Sequence, residues 1–257
     1  MRRVRTGRFP LALAAAIFAA ALPVTLWAGG YFGASDKAQP PIRIPSEVAW
    51  TDSTIAAATD GDAVRGLILA RRCVRCHGEE GFSDNTYIPN LAGMDALSFW
   101  KQMQDFQSGK RTSSVMQGIV ADRTQRDFAD LAAYYAMLLS TPDPQSKGPF
   151  PGPRPSDAQS DVASQLVTLG EGKRGIPPCQ ACHGPAAYVK GAPSLATQNE
   201  NYILTQLSAF AQGTRSNDIN LRMRTITSQM TPSEREAIAK YYGAEMGVLP
   251  AATSRGK

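Results

Sequence analysis

The sequence predicts an all-α protein that contains two tandem copies of one small domain. All four Cys and both His of the 257-residue chain lie in two copies of a C-x-x-C-H pentapeptide. Residues 89–111 match residues 193–215 without a gap, and each segment follows its pentapeptide, beginning 12 and 10 residues after the motif His. Apolar residues recur at helical spacing, and no alternating pattern typical of β-strands competes with them. Two matched copies indicate a duplicated domain rather than a solenoid.

The N-terminus predicts an export signal. Four Arg among the first eight residues precede an uncharged run over residues 9–35. Because basic residues stay on the cytoplasmic side, we expect the rest of the chain outside the cytoplasm. Residues 1–35 are either a cleaved signal peptide or a retained membrane anchor, since the run is long enough to span a bilayer. Residues 36–60, with Pro40, Pro41 and Pro45, are expected to form a tether or a strap over the surface.

Residues 61–140 are expected to form the first domain and residues 157–248 the second. A Pro-rich linker, residues 141–156, separates them, because repeated Pro residues interrupt any helix and give an extended, fairly stiff segment. Helices are predicted over residues 63–72, 96–107 and 200–212 from their apolar spacing. Thr124 and Thr231 each precede a carboxylate by three residues, at Asp127 and Glu234, which predicts a capped helix start in both domains.

The C-x-x-C-H motif is the pattern of c-type haem attachment. Two thiols three positions apart form thioethers with one haem, and the adjacent His supplies an axial nitrogen ligand to its iron. A zinc half-site or a redox-active dithiol also uses C-x-x-C. Neither explains why a His follows each pair and why the chain holds no other Cys or His. The sequence therefore predicts two covalent haem c groups, at Cys73, Cys76 and His77 and at Cys179, Cys182 and His183.

The sixth iron ligand is predicted by elimination. No further His exists, so Met, Lys or an open position remains. Met116 and Met223 occupy the same position in the two repeats, and both are expected in the segment between two helices, where they can fold over the open haem face. The alternative is that both are ordinary core residues, which is the role expected for Met103 in its helical stripe.

The order C-x-x-C-H, Pro-x-Leu-Ala, Gly-x-Arg, Met and Tyr-Tyr resembles class I cytochrome c. Its occurrence twice in one exported chain is similar to the diheme cytochrome c4 family. The resemblance covers residues 61–248 and is closest at residues 176–185 and in the two Gly-x-Arg segments. It implies two class I cytochrome c domains, each wrapped around one covalent haem. The long apolar run before residue 36 departs from a plain soluble member and suggests a membrane-associated version.

The resemblance also implies roles for two repeat-matched pairs of residues. Pro89 and Pro193 would place their carbonyl oxygens to accept a hydrogen bond from Nδ1 of the motif His, which would fix the ring. The alternative is that both Pro residues only interrupt regular structure in loops and have no role at the haem. Arg111 and Arg215 would pair with haem propionates, or else lie solvated on the surface.

These ligands predict an electron carrier and not an enzyme. Two strong-field ligands close both faces of each iron, which leaves no place for substrate. We expect transfer from a quinol-oxidising complex or a dehydrogenase to a terminal oxidase or reductase, on the periplasmic side of the inner membrane. The alternatives are a cytochrome subunit of a membrane dehydrogenase complex, a diheme peroxidase or a thiosulfate-oxidising haem protein; the last two would need an additional His or Cys ligand. The net charge of +5 lies mostly in the first eight residues and gives no basis for nucleic-acid binding.

Overall fold

The computed structural model describes residues 50–138, 161–184, 189–196 and 198–244. The predicted segments 1–35 and 141–156, with residues 36–49 and 245–248, lie outside the described residues. Within these ranges the only β pairing is an isolated bridge between Glu171 and Ile176, so the prediction of an all-α protein is confirmed. The helices are α1 (Asp52–Thr59), α2 (Ala63–His77), α3 (Ala96–Gln107), α4 (Ser114–Val120), α5 (Gln125–Met137), α6 (Asp161–Thr168), α7 (Gln180–His183), α8 (Glu200–Ala211), α9 (Arg222–Ser228) and α10 (Pro232–Ala244), with a 3-10 turn at Gly172–Arg174 between α6 and α7.

The helix starts follow the predicted capping pattern. The backbone N–H of Asp127 donates to Oγ1 of Thr124 at 3.1 Å, and the N–H of Thr124 donates to Oδ2 of Asp127 at 2.8 Å. Thr231 and Glu234 repeat this exchange at 3.2 and 2.8 Å. Each pair satisfies two backbone donors that a helix start leaves open. The last helix of each repeat, α5 or α10, is therefore fixed at its first turn.

The first unit is built on α2, α3 and α5. Phe99, Phe128 and Tyr135 are buried in its core, with Phe99 stacked on Tyr135 at a ring-centroid distance of 5.4 Å. The predicted tether over residues 36–60 differs from the structure at its C-terminal end, where residues 52–59 form α1. That helix packs on α3 and α5 and buries Ala58 completely. An Ala-rich segment becomes helical here because it has a core to pack against.

Helices α2 and α5 come into backbone contact at Gly66. A Cβ atom at this position would lie 2.0 Å from the carbonyl oxygen of Asp130, so the contact requires glycine. Beside it, the guanidinium of Arg65 donates to the carboxylates of Asp127 and Asp130. The glycine contact and the ion pairs hold α2, and with it the first C-x-x-C-H motif, against α5.

The second unit repeats this arrangement with α6, α8 and α10. Its core contains Leu166, Ile203, Ile238 and Tyr242. The short helices α4 and α9 occupy matching places, each between the long middle helix and the last helix of its repeat. No helix in the described ranges is long and apolar enough to cross a membrane, and the run over residues 9–35 lies outside those ranges.

Candidate functional site

The first C-x-x-C-H motif forms the last turn of α2. Gly78 ends the helix with φ of 78°, and a Cβ atom there would lie 1.8 Å from the carbonyl oxygen of Phe82. Only glycine accepts both the left-handed backbone and this close approach. The three motif residues line one cavity, which we call the first cavity; they are Cys73, Cys76 and His77.

The second motif lies on a short separate helix. Glu171 pairs with Ile176, and Pro177 and Pro178 then prevent a long helix from running into the motif. The N–H of Cys179 still donates to the carbonyl of Leu166 at 3.3 Å, which ties the motif to the end of α6. The three motif residues line a cavity that we call the second cavity; they are Cys179, Cys182 and His183.

Each motif His is oriented by a Pro carbonyl. Nδ1 of His77 lies 2.8 Å from the carbonyl oxygen of Pro89, and Nδ1 of His183 lies 2.7 Å from that of Pro193. Because a carbonyl only accepts, Nδ1 carries the proton and Nε2 keeps its lone pair. Burial lowers the pKa of both imidazoles. Each ring is therefore held neutral with Nε2 available, which is the form that binds a metal ion.

The thiols do not have the character of a redox dithiol. All four Cys are free. Burial raises the pKa of the Cys73 thiol, and it raises the pKa of Cys179 to about 11, whereas reactive dithiols have a lowered pKa. Among the residues that the structure describes, no group of three or more His, Cys, Asp or Glu is placed to hold a metal ion. A zinc site assembled from both Cys pairs is therefore not formed.

Met116 lines the first cavity and Met223 lines the second. Both lie in the expected segments, between the middle and last helices of their repeats, and these segments contain the short helices α4 and α9. Three further Met side chains line these cavities: Met103 the first, Met230 the second and Met94 both. The two repeat-matched Met residues are thus placed beside their motifs, and three neighbours share the cavity walls with them.

The Gly-x-Arg segments turn the chain back over the preceding helix. Gly109 has φ of 75° and Gly213 has φ of 70°, a conformation that glycine adopts readily. The turn places the guanidinium of Arg111 over the ring of Phe106, with Cζ 4.6 Å from its centroid, and that of Arg215 over Phe210 at 4.4 Å. The same glycine turn and the same contact with a Phe ring thus position both Arg side chains.

The two Arg residues meet two Gln residues across the repeats, in what we call the Arg–Gln cluster. Arg111 donates to Oε1 of Gln102 at 2.8 Å and of Gln206 at 3.0 Å. Arg215 donates to Oε1 of Gln206 at 2.7 Å and of Gln102 at 3.1 Å. All four side chains line both cavities. The structure therefore places these Arg residues at the junction of the repeats rather than on a solvated surface.

No family model matches the chain. It is 38% identical over 176 residues to the thiosulfate dehydrogenase electron acceptor of Stutzerimonas stutzeri, covering 67% of this chain and 78% of that protein. It is 34% identical over 188 residues to cytochrome c4 of Pseudomonas aeruginosa, covering 70% of this chain and 87% of that protein. The chain belongs to the cytochrome c4 family. The fold agrees, since the crystal structure of reduced recombinant cytochrome c4 from Pseudomonas stutzeri matches 71% of this chain and 98% of that chain, with a TM-score of 0.60 and 28% identity.

As a member of this family, the chain is a diheme electron-transfer protein with two class I cytochrome c domains and two covalent haem c groups. The residues present fit these groups: each cavity brings together two thiols, a neutral His and, at the Arg–Gln cluster, positive charge. Burial, and then the neighbouring Arg111, lower the pKa of Arg215 to about 9. Neither guanidinium has a carboxylate within 4.0 Å among the described side chains. The propionates of a haem are counter-charges that such a pair of cations accommodates.

Sequence reasoning missed a buried ionic group beside the Arg–Gln cluster. Lys101, Asp105 and Asn217 are each 3% exposed or less. The ammonium of Lys101 pairs with Asp105 and donates to the carbonyl oxygen of Asn217 at 2.7 Å. Lys101 belongs to α3 yet lines the second cavity. The sequence signals were the aligned pair Gln102 and Gln206 and the four-residue spacing of Lys101 and Asp105 on one helix, neither of which reveals the partner in the other repeat.

A second missed cluster holds the loop that orients His77. The N–H of Asn90 donates to Oε1 of Gln198 at 2.9 Å, and Nε2 of Gln198 donates back to the carbonyl of Asn90 at 3.1 Å. Asn199 adds a bond from Nδ2 to the carbonyl of Ile88 at 2.9 Å. These bonds flank Pro89, so the second repeat holds the carbonyl that accepts from the first His.

Proposed function

We propose that this member of the cytochrome c4 family is an electron carrier without enzymatic activity of its own. It would accept electrons from a quinol-oxidising complex or a dehydrogenase and deliver them to a terminal oxidase or reductase. The observation that carries this proposal is that each cavity is lined by both an attachment motif and a repeat-matched Met. A haem supplies an iron that changes between the ferrous and ferric states, and His with Met as its axial ligands leaves no open position for substrate.

The proposed roles follow from these positions. The four Cys attach the haems, while the two motif His and the two matched Met ligate the irons. Pro89 and Pro193 hold the imidazole rings through the bonds to Nδ1, and Arg111 and Arg215 neutralise haem propionates where the repeats meet. The proposed ligand pairs are His77 with Met116 and His183 with Met223.

Substitution of each Met tests the closed-iron argument. Met116→Leu and Met223→Leu should each remove about half of the weak thioether-to-ferric-iron absorption band at the red end of the visible spectrum. Each should also lower the midpoint potential of one haem, because Met ligation favours the reduced state, and should open one iron to carbon monoxide. Visible spectroscopy, potentiometric titration and carbon monoxide binding measure these effects.

Met103→Leu is the matched control, since Met103 is buried in the same unit and lines the same cavity as Met116. A volume-conserving swap of this kind costs under about 1.5 kcal/mol and should leave both ligands in place. If Met103→Leu removes the band and Met116→Leu does not, the ligand assignment is wrong. If the native protein already binds carbon monoxide at both irons, the argument for a pure carrier fails.

A dehydrogenase is the favoured donor, because the relative from Stutzerimonas stutzeri is named as the electron acceptor of thiosulfate dehydrogenase. The edge of the first cavity supports docking of an acidic partner protein. Arg72, Lys110 and Arg123 line this cavity together with Tyr87 and Val115, whose side chains are 66% and 65% exposed. Exposed apolar residues with a basic rim give a contact surface towards which an acidic partner is steered by charge.

Stopped-flow mixing tests the donor. A thiosulfate dehydrogenase supplied with thiosulfate should reduce both haems faster than a quinol-oxidising complex does, and the rate should fall as salt is added. Lys110→Glu should slow this reduction, whereas Lys173→Glu, which changes an exposed Lys of the second unit away from the cavities, should not. Faster reduction by the quinol-oxidising complex would reassign the donor, and thiosulfate oxidation by the protein alone would make it an enzyme.

The proposed location is the periplasmic side of the inner membrane, and periplasmic export agrees with the cytochrome c4 family. Residues 9–35 would either remain as an anchor or be removed as a signal peptide. N-terminal sequencing of the mature protein from membrane and soluble fractions decides between them. An anchored protein should stay with salt-washed membranes and keep its first residues, whereas a soluble protein that begins after residue 20 would exclude the anchor.

A further inference from the structure

The first unit fixes the position of Trp50, which lies just before Thr51, the N-cap of α1. Oγ1 of Thr51 caps this helix by accepting from the N–H of Thr54 at 3.2 Å. Ala58, near the other end of α1, is completely buried against the first unit. The indole of Trp50 also packs on the hydrophobic core of that unit. The indole is therefore held by the first repeat and the helix attached to it.

The same indole reaches the second repeat. It lines the second cavity, the one that contains His183. Gly191, which also lines that cavity, has φ of 80°, and a Cβ atom there would lie 2.8 Å from Cζ2 of Trp50. The second repeat thus presents a glycine at the point where the ring approaches. Trp50 spans the junction and forms part of the wall of a site whose attachment motif belongs to the other repeat.

The indole N–H of Trp50 is buried and has no hydrogen-bond acceptor among the described residues. A buried donor left without a partner destabilises the folded protein, so a ligand that supplies an acceptor is favoured there. Trp100 offers a comparison, because its N–H is also buried without an acceptor in the described part of the chain, but its side chain lines neither cavity. Of these two indole donors, that of Trp50 is the one that lies beside a haem site, where propionates would be carboxylate acceptors.

We propose that Trp50 is a haem-binding residue of the second site, contributed by the segment before the first repeat, and that its N–H donates to a propionate of the second haem. The bond would satisfy the buried donor and reduce the negative charge near the second iron. A less negative surrounding disfavours the ferric state. Trp50 would therefore raise the midpoint potential of the second haem and leave that of the first unchanged, independently of which proteins serve as donor and acceptor.

Trp50→Phe tests this assignment, because Phe keeps an aromatic ring and removes the N–H. The potential of one haem should shift downward, and the pH at which that potential begins to depend on pH should shift upward, since the propionate loses a donor. The redox transition that shifts should be the one that is absent from the double variant Cys179→Ala, Cys182→Ala, which cannot attach the second haem. Potentiometric titrations at several pH values measure both shifts.

Trp100→Phe is the matched control: it makes the same substitution at a buried indole and should move neither potential. The proposal is overturned if Trp50→Phe changes neither the potentials nor their pH dependence. It is also overturned if the redox transition that shifts belongs to the first haem, or if Trp100→Phe produces an equal shift, since the effect would then come from general loosening of the first core.

Discussion

Lys101 offers a sharp test of how the two repeats are joined. Its side chain is 2% exposed, pairs with Asp105 and donates to the carbonyl oxygen of Asn217 at 2.7 Å. Burial lowers the pKa of Lys101, and the carboxylate of Asp105 opposes this by favouring the charged form. Lys101→Met keeps most of the apolar stem and removes the charge. The carboxylate of Asp105 then stays buried without its ammonium, although Nδ2 of Asn217 still donates to it at 2.7 Å.

Removal of one partner of a buried ion pair destabilises a protein by about 3–5 kcal/mol. The remaining bond from Asn217 places Lys101→Met at the lower end of that range, about 3 kcal/mol. Because the ion pair joins the two repeats, we expect them to unfold together, and for a protein of about 150–250 residues such a loss lowers the melting temperature by about 6–12 °C. Thermal unfolding of the diheme protein, followed by circular dichroism, measures the change.

Lys110→Met is the control, because Lys110 is exposed and a surface change of this kind stays within about 0.5 kcal/mol. The double variant Lys101→Met, Asp105→Leu should recover most of the lost stability, since replacing both partners of a buried pair by apolar residues is often neutral. If Lys101→Met melts with the native protein, the ion pair contributes nothing. If the double variant is less stable than the single one, the loss comes from packing and not from an uncompensated charge.

Three further predictions follow from the helices and motifs. Hydrogen bonds from Arg174 lower the pKa of Glu234 to about 2, below its usual value of 4.5. The ionised Glu234 carboxylate therefore stabilises the fold above pH 4.5, and this stabilisation is lost as the pH falls towards 2. The difference in melting temperature between the native protein and Glu234→Gln should shrink over that range, and a constant difference would contradict this. Gly66→Ala should destabilise the first unit by about 1–3 kcal/mol through overpacking against α5, whereas Gly118→Ala, with no atom within 4 Å of the added Cβ, should not. The mass after acid–acetone extraction should exceed that of the polypeptide by two haems, and a protein with zinc and no haem would refute the attachment.

The parts of the fold that are determined by residues close together in the chain could be predicted from the sequence. The helix over residues 96–107, the capping pairs of Thr124 and Thr231 and the all-α class are confirmed, because apolar spacing and caps act within a few residues. Helix α1 was missed because an eight-residue Ala-rich segment has little helical stability of its own and depends on burial of Ala58. Met116 and Met223 lie between the middle and last helices as expected, but the sequence did not reveal that each of these segments forms a short helix.

The junction of the repeats could not be predicted, since it depends on which surfaces of two similar units face each other. The repeat alignment marks Arg111 and Arg215 as equivalent, and within each repeat they make the same contact: each lies over a Phe in the last turn of its own middle helix. Their bonds to both Gln residues of the cluster exist only because the repeats meet through these helices.

The residues that the junction places beside the two cavities also differ, and the repeat alignment does not show this difference. Lys101 and Trp50 extend from the first repeat to the second cavity, but the position that aligns with Lys101 is Thr205, which lines neither cavity. A buried ammonium and an indole N–H thus lie beside the second site alone. Because the ammonium is paired with the carboxylate of Asp105, the indole N–H is the group that would distinguish the surroundings of two haems bound by nearly identical motifs. If Trp50 donates to a propionate as proposed, we expect the second haem to have the higher potential of the pair, and potentiometric titration of the native protein measures this.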